Sequence, residues 1–182
     1  MLEKYALFRV LKTILDNPQD YSVRGLSKQA NVGLGTAKTS LDFLFEKKLL
    51  NKKVVGKTYQ FSLNKESVLL KYLKITKSLN EIQDSGLINE LLKKYPGIIS
   101  VVLYGSLARG EDTPASDIDL LVIATKKFKL TRLKSEDTIK RELTFLVYDQ
   151  DLWRIKHKED KVFYDRVILD GIALYGEIPI LN

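Results

Sequence analysis

Residues 103–123 hold most of the side chains in this chain of 182 residues that could carry out chemistry. A Gly105-Ser106 turn follows one run rich in β-branched residues, and Asp117 and Asp119 lie just before a second such run. Glycine lets a ligand approach the backbone closely. A helix that starts at this turn would direct its free N–H groups at an anion, and the Ser106 hydroxyl adds a further donor.

The two aspartates are spaced so that an extended backbone points both side chains the same way. Carboxylates that converge repel each other unless a cation joins them, and such hard oxygen ligands suit Mg2+ bridged to substrate phosphates. Arg109, one helical turn after the glycine, can reach the same phosphates. Taken singly, a Gly-Ser turn or an Asp-x-Asp pair is usually an ordinary turn or a solvated loop. Their order between two strands is more specific, and it predicts a cradle for a nucleoside triphosphate (NTP) and its magnesium.

The composition excludes several other kinds of site. The chain has no cysteine, which excludes disulfides, thiolate metal sites and cysteine nucleophiles. With one histidine, His157, a multi-histidine metal site within one chain is excluded too. No apolar run approaches the roughly 20 residues that span a bilayer, and the N-terminus lacks the apolar core of a signal peptide. We therefore expect a cytoplasmic protein with no membrane partner.

The net charge of +7 is distributed unevenly. Residues 1–65 contain 12 Lys and Arg against 5 Asp and Glu, whereas residues 66–182 contain 18 of each kind. A basic segment joined to a neutral one indicates a module that binds a polyanion and is attached to a second domain. From charge alone, a basic but inert surface is an equal alternative.

Periodicity and turn residues predict three helices and a β-hairpin in residues 1–65. The predicted elements are helix 4–16, helix 23–30 with Ser22 as its N-cap, helix 36–48, and strands 49–55 and 58–63 around a Gly56-Lys57 turn.

This order of elements resembles the winged helix-turn-helix of small bacterial and archaeal transcription regulators. The resemblance covers about residues 1–65 and implies double-stranded DNA as a partner, with the recognition helix in the major groove. A winged helix used for protein contact is the alternative. The DNA contacts that the resemblance implies are Thr36, Lys38, Thr39 and Ser40 on the recognition helix and Lys52, Lys53 and Lys57 on the wing.

Residues 66–96 are predicted to form a helical connector. Its apolar residues follow the 4-3-4-3 spacing of a heptad seam, and they are Val68, Tyr72, Ile75, Leu79 and Ile82. Two heptads do not establish a coiled coil, so the stripe can equally pack against the second domain or pair two copies as a homodimer. Ser85-Gly86 is expected to break it.

The third segment, residues 97–182, contains the chemistry. Its predicted elements are strand 98–104, a strand anchored by 120–123, a basic exposed loop 126–134, strand 141–148, a helical region around Trp153 and a short strand 172–175.

The order Gly-Ser-x-Ala-Arg-Gly-x5-Ser-Asp-x-Asp-Leu between strands resembles the minimal nucleotidyltransferase family, relatives of the polymerase-beta palm. The resemblance covers residues 97–175 and implies an α+β fold with a mixed β-sheet flanked by helices. It implies that Gly105 and Ser106 bind the triphosphate and that Asp117 and Asp119 are the metal ligands. In such enzymes a nucleotidyl group passes to a hydroxyl, with two metals stabilising the attacking and leaving oxygens. The resemblance also implies that Arg109, Gly110 and Ser116 shape the loop, and that Arg109 and Ser116 are nucleotide-binding residues.

The chain departs from that family at one position. A third carboxylate normally lies on the next sheet strand, but Thr144 stands there in strand 141–148. Glu142, two residues earlier with the same side-chain parity, is the candidate for the third catalytic acid. Asp149 and Asp151 lie beyond the strand and are expected in a turn or helix cap. Without a third acid, the site would bind Mg-NTP but transfer poorly.

The whole order is similar to a group of predicted prokaryotic regulators, and related stand-alone domains serve as antitoxins that modify a partner toxin. The resemblance thus implies a protein acceptor or toxin partner. The first hypothesis is a DNA-binding nucleotidyltransferase that modifies a hydroxyl of a protein or nucleic acid. Its alternative is a transcription regulator whose second domain senses NTP without catalysis. A partner-binding protein with a vestigial site is the third, and the position of Glu142 distinguishes the first two.

Overall fold

The computed structural model describes residues 4–181. The chain divides into two compact units, Met1–Lys77 and Ser78–Asn182, and each unit has hydrophobic core of its own. Among the described residues, no helix combines the length and the apolar character that a bilayer crossing requires.

Three helices, a three-stranded antiparallel sheet and the start of the next helix build the N-terminal unit. The sheet has the order β1-β3-β2. The predicted helices and hairpin are confirmed, although α3 starts two residues before the predicted position and β1 was not predicted. The bounds are α1 Ala6–Asp16, β1 Tyr21–Ser22, α2 Val23–Gln29, α3 Leu34–Glu46, β2 Leu50–Val55 and β3 Thr58–Leu63.

Local signals and apolar burial both explain these elements. The Ser22 hydroxyl accepts a hydrogen bond from the Gly25 N–H at 3.1 Å, which confirms the predicted N-cap of α2. Leu26 and Leu41 have no exposed surface and Phe61 has 2 %. These side chains share one core, so the hydrophobic effect holds the helices against the sheet.

The connector forms two helices, α4 Val68–Ser85 and α5 Leu87–Lys94. Gly86, with φ +72°, separates them, so the predicted break is confirmed. The predicted apolar stripe on α4 is buried at its C-terminal end only, because Ile82 is 2 % exposed whereas Val68 is 71 % and Tyr72 is 60 % exposed. Homodimerisation through α4 stays a prediction.

A buried ion pair ties α4 to α1 within the N-terminal unit. The Lys77 ammonium lies 2.6 Å from an Asp16 carboxylate oxygen, and its side chain is 5 % exposed. Burial alone would raise the pKa of Asp16, but hydrogen bonds and charges from Lys77 and Lys12 lower that pKa below its ordinary value. The Asp16 carboxylate thus compensates the charge of the Lys77 ammonium, which is buried in the folded chain.

The C-terminal unit is built on a four-stranded mixed sheet of order β6-β5-β4-β7. Strand β4 is antiparallel to β5 and β7, whereas β5 and β6 are parallel. The predicted α+β class and mixed sheet are confirmed. The bounds are β4 Ile98–Tyr104, α6 Gly105–Arg109, β5 Ile118–Ala124, a 3-10 helix Lys134–Thr138, β6 Leu143–Asp149, α7 Gln150–Glu159, α8 Lys161–Asp170 and β7 Ile172–Tyr175.

Both faces of this sheet are covered, which explains the nearly continuous apolar run of β5. Leu120 faces a core shared with Leu91 of α5 and Leu133 of the segment after β5. Leu121 faces the opposite core, which contains Trp153 of α7. A strand buried on both faces holds the residues at its end firmly in place.

Candidate active site

The Gly105 turn lies directly against one of the two aspartates. Strand β4 ends at Tyr104, and α6 starts at Gly105 with no intervening residue. Gly105 has φ +77°, and a Cβ atom at this position would collide with the Asp119 carboxylate. The glycine therefore provides both the left-handed backbone and the space that the carboxylate occupies.

Asp119 is the second residue of β5 and is flanked by strands on both sides. Its register partners are Tyr104 on β4 and Thr144 on β6. Register partners share a sheet face, so the three side chains lie on one face in a row. The ring of Tyr104 meets Phe163 of α8 edge-on, with centroids 5.4 Å apart, and this contact closes one side of the site.

The site is electrostatically prepared for a cation. Partial burial raises the pKa of Asp119, and the negative charge of Asp117 raises it further, while Arg109 acts in the opposite direction. Burial, with the charges of Asp119 and Tyr148, raises the pKa of Tyr104 to about 12. A positive ion at the two carboxylates would relieve both the repulsion and the cost of burial.

Asp117 is exposed at the end of the loop that joins α6 to β5. Arg141 holds this loop: its guanidinium donates to the carbonyl oxygens of Thr113 and Ser116 and to the Asp112 carboxylate, each at 2.9 Å. The side chains of Arg141 and Asp112 are 8 % and 5 % exposed. Neither residue was predicted to have this role, because their pairing spans 29 positions and leaves no local signal.

The other residues predicted to bind the nucleotide also lie at this loop. The Ser116 hydroxyl accepts a hydrogen bond from the Thr113 N–H at 2.9 Å, so it closes the loop. The Arg109 Nε donates to Glu111 at 2.8 Å, and Ser106, half-buried, is the second residue of α6. The structure thus brings the predicted phosphate ligands to the same edge of the sheet as the two aspartates.

Thr144, which the sequence analysis placed at the position of a third acid, lies directly beside Asp119 in the sheet register. Glu142 is exposed and precedes β6, and its carbonyl oxygen accepts a hydrogen bond from the Ile118 N–H at 2.8 Å. Within residues 4–181, no three His, Cys, Asp or Glu side chains are grouped to hold a metal ion. A catalytic role for Glu142 stays a prediction. Asp149 is the N-cap of α7, which confirms its predicted place in a helix cap.

The recognition-helix candidates lie on α3, but not all of them face outward. Thr36, Lys38 and Thr39 are exposed. Ser40 is 7 % exposed, so the prediction that it faces outward is wrong. It follows Ala37 by three positions and therefore shares the buried face of the helix.

The three lysines of the β2-β3 hairpin that were predicted to contact DNA differ in their surroundings. The Lys52 ammonium lies 4.3 Å from the ring centroid of Tyr59, with the rings of Phe45 and Phe61 also within 6 Å, and it pairs with Asp42 at 3.5 Å. The side chain is 25 % exposed, and a DNA contact by Lys52 stays a prediction. Lys53 pairs with Asp20 at the surface, and Lys57 is exposed at the turn.

A match to a known protein family covers most of the C-terminal unit. A family model described as polymerase beta, nucleotidyltransferase matches residues 87–178. This chain belongs to that family. A comparison with curated proteins gave no match. A crystal structure of a provisionally assigned nucleotidyltransferase from Sulfolobus solfataricus is similar over 63 % of this chain and 94 % of its own, with 18 % identity and a TM-score of 0.38.

The nucleotidyltransferase match includes α5, which the sequence analysis placed in the connector. Leu87 and Leu91 of α5 are completely buried in the core below the sheet. The helix therefore supports the strands that carry the aspartates.

The residues present fit a magnesium ion that arrives with a nucleotide. Mg2+ is commonly held by one or two carboxylates together with substrate phosphates and water. Asp117 offers an exposed carboxylate, and the raised pKa of Asp119 reflects a half-buried carboxylate beside a like charge. In this nucleotidyltransferase domain, two carboxylates are thus available as magnesium ligands. The other coordination positions of the ion would be open to phosphate oxygens and water.

We expect Arg141→Met to destabilise the C-terminal unit by about 3–5 kcal/mol, because it leaves the buried Asp112 carboxylate without this cation. Denaturant unfolding measures the loss, and hydrogen exchange of residues 111–117 should show a loosened loop. The control is Arg154→Met, whose pair with Asp151 is exposed and should contribute less than about 1 kcal/mol. Equal effects of the two variants would contradict the anchoring role of Arg141.

Asp119→Asn should raise the melting temperature of the metal-free protein at pH 7. The pKa of Asp119 is raised in the folded state, so its charged form costs stability at neutral pH. That cost disappears as the pH falls through the folded pKa, and the gain of the variant should shrink over the same range. Thermal unfolding at several pH values measures it, with the exposed Asp151→Asn as control. A variant that melts at or below the wild-type temperature at pH 7 would refute the assignment.

Proposed function

We propose that this protein binds Mg-NTP at the site formed by Gly105, Ser106, Asp117 and Asp119 and transfers a nucleotidyl group to a hydroxyl acceptor. The contact between the Gly105 turn and the Asp119 carboxylate carries the proposal. It joins a turn suited to phosphate with a carboxylate suited to a cation, in a domain of the nucleotidyltransferase family.

Each residue has a distinct part in the proposed reaction. The N–H groups at the start of α6 and the Ser106 hydroxyl would bind phosphate oxygens, and Arg109 would add positive charge. Asp117 and Asp119 would hold the magnesium. When bound, that ion neutralises phosphate charge and helps to align the attacking and leaving oxygens.

The acceptor hydroxyl oxygen would bond to the α-phosphorus while the bond to pyrophosphate breaks. The hydroxyl proton must pass to a base, for which Glu142 is the candidate from the sequence. A protein hydroxyl, including one on a toxin partner, and a nucleic acid hydroxyl are both chemically suitable acceptors. We place the reaction in the cytoplasm, where NTP and magnesium are both present.

The second candidate function is NTP sensing without transfer. The observation that favours it is Thr144, which lies beside Asp119 where a third acid would otherwise stand. A threonine hydroxyl is a poor base, so a site with two carboxylates would hold the nucleotide without activating the acceptor. In this case, bound NTP would regulate the activity of the whole protein.

Incubation with each NTP labelled at the α-phosphate, with magnesium and with or without cell extract, separates these functions. We expect label on an acceptor with the wild type and with Asp151→Ala, and a loss of about 100-fold or more with Asp119→Ala. A variant with Glu142→Gln should retain NTP binding and lose transfer if Glu142 is the base. Binding without transfer would support the sensor, and absence of binding in the wild type would refute both functions.

We also propose that the N-terminal unit is a winged helix-turn-helix that binds double-stranded DNA. Its element order, three helices followed by a hairpin, supports this proposal. The exposed Thr36, Lys38 and Thr39 would meet bases and phosphates in the major groove, with Lys53 and Lys57 on the adjacent backbone.

The DNA proposal is tested by the dependence of duplex affinity on salt concentration. Lys38→Ala combined with Lys57→Ala should make the slope of log K against log salt shallower by about 0.9 for each lost phosphate contact. The matched control is Lys65→Ala with Lys71→Ala, which removes the same charge from exposed positions outside α3 and the wing. Equal slopes for the two double variants would refute the proposed surface.

A further inference from the structure

The charge of the C-terminal unit is strongly segregated. Residues 78–182 contain 15 Lys and Arg against 17 Asp and Glu. Seven of these cations occur at the end of α5 and in residues 126–134, and residues 126–135 contain no acid at all. We call these seven the basic strip: Lys93, Lys94, Lys126, Lys127, Lys129, Arg132 and Lys134. The remainder of the unit is correspondingly acidic.

The two parts of the basic strip adjoin each other in space. The ring of Tyr95 stacks on Phe128 with centroids 4.4 Å apart and planes 11° from parallel. The Tyr95 hydroxyl accepts a hydrogen bond from the Thr131 N–H at 2.8 Å, and the Lys94 ammonium donates to the Arg132 carbonyl oxygen at 2.9 Å. The cations of α5 and those of the loop therefore form one continuous surface.

The loop that carries the strip has a fixed backbone. Both carboxylate oxygens of Glu90 accept backbone N–H groups, those of Lys134 and Ser135, at 2.8 Å each. Leu133 is 1 % exposed, and Phe128 packs against the same core. Glu90 is thus used for the scaffold of the strip, and the lysines project from an ordered support.

The lysine side chains of the loop are available to a partner. Lys126, Lys127, Lys129 and Lys134 are exposed, and nowhere in residues 4–181 does a carboxylate form an ion pair with any of them. Arg132 pairs with Asp137. Surfaces that serve solubility intersperse charges of both signs, whereas this one gathers like charges that repel each other. A bound polyanion would remove that repulsion.

We propose that the basic strip binds the phosphate backbone of a nucleic acid. Protein interfaces are poor in lysine and rich in exposed aromatic residues, but the strip is mainly lysine, and none of the exposed large apolar side chains among the described residues falls at positions 93–95 or 126–134. Lysine ammonium groups are compact point charges that contact phosphates without reading sequence. The chemistry therefore favours a nucleic acid over an acidic protein.

This surface is separate from the sites proposed above. The strip continues beyond Ala124 at one end of β5, whereas Asp117 precedes the other end. Seven residues of extended strand span about 20 Å, so the strip is not an extension of the triphosphate cradle. It also belongs to a different unit from α3 and the wing. The nucleotidyltransferase domain thus has its own sequence-independent contact with nucleic acid, whether the N-terminal unit binds DNA or not.

The test measures binding of the full chain to a fluorescent duplex and to a single strand of equal length, across a salt series. The loop variant combines Lys126→Ala, Lys127→Ala and Lys129→Ala. Its control combines Lys158→Ala, Lys161→Ala and Arg166→Ala, which removes the same charge from exposed positions on α7 and α8. We expect the loop variant alone to flatten the salt slope, by about 0.9 per lost contact on duplex and about 0.7 on single strand.

Both triple variants are also measured in a chain that carries Lys38→Ala and Lys57→Ala. If the strip acts independently, the loop variant must flatten the salt slope in this chain as well. Thermal unfolding confirms that each variant is folded. Equal losses in the loop variant and its control would show an effect of bulk charge and overturn the proposal. Polyglutamate that binds as tightly as the oligonucleotides, with the same loss in the loop variant, would also overturn it, because the strip would then be a surface for acidic protein.

Discussion

The close contact between Gly105 and Asp119 is the constraint on which the C-terminal unit depends. The carboxylate occupies the space of a missing Cβ, and the antiparallel pairing of β4 with β5 keeps the turn and the carboxylate together. The covered faces of the sheet fix β5, and burial with the neighbouring Asp117 leaves Asp119 with a raised pKa. Holding two like charges together therefore lowers the stability of the unit, and such a destabilising arrangement is typical of a functional site.

A second set of contacts controls the more exposed carboxylate. Asp117 lies at the end of a loop whose backbone is bound by Arg141, a residue on the approach to β6. The two aspartates are thus positioned by different means, one by a strand and the other by a buried ion pair. Thr144 lies beside Asp119 in the sheet register, and the choice between the two proposed functions depends on this neighbour.

Much of the fold could be predicted from the sequence because its signals are local. The Ser22 cap, the Gly86 break and the strands around the Gly-Ser turn depend on neighbouring residues. The anchoring role of Arg141 and the aromatic surroundings of Lys52 depend on side chains brought together from distant positions. Ser40 is a different case, because its spacing from Ala37 already indicated the buried face of α3.

The parallel pairing of β5 and β6 obliges the chain to travel back along the whole length of the sheet. Such a return is usually an α-helix, but here residues 125–142 contain only a short 3-10 helix. The first half of this crossover carries the exposed lysines, and its last part carries Arg141. One connection that the topology requires therefore has two separate parts, with exposed lysines near its start and, near its end, an arginine bound to the loop that leads to Asp117.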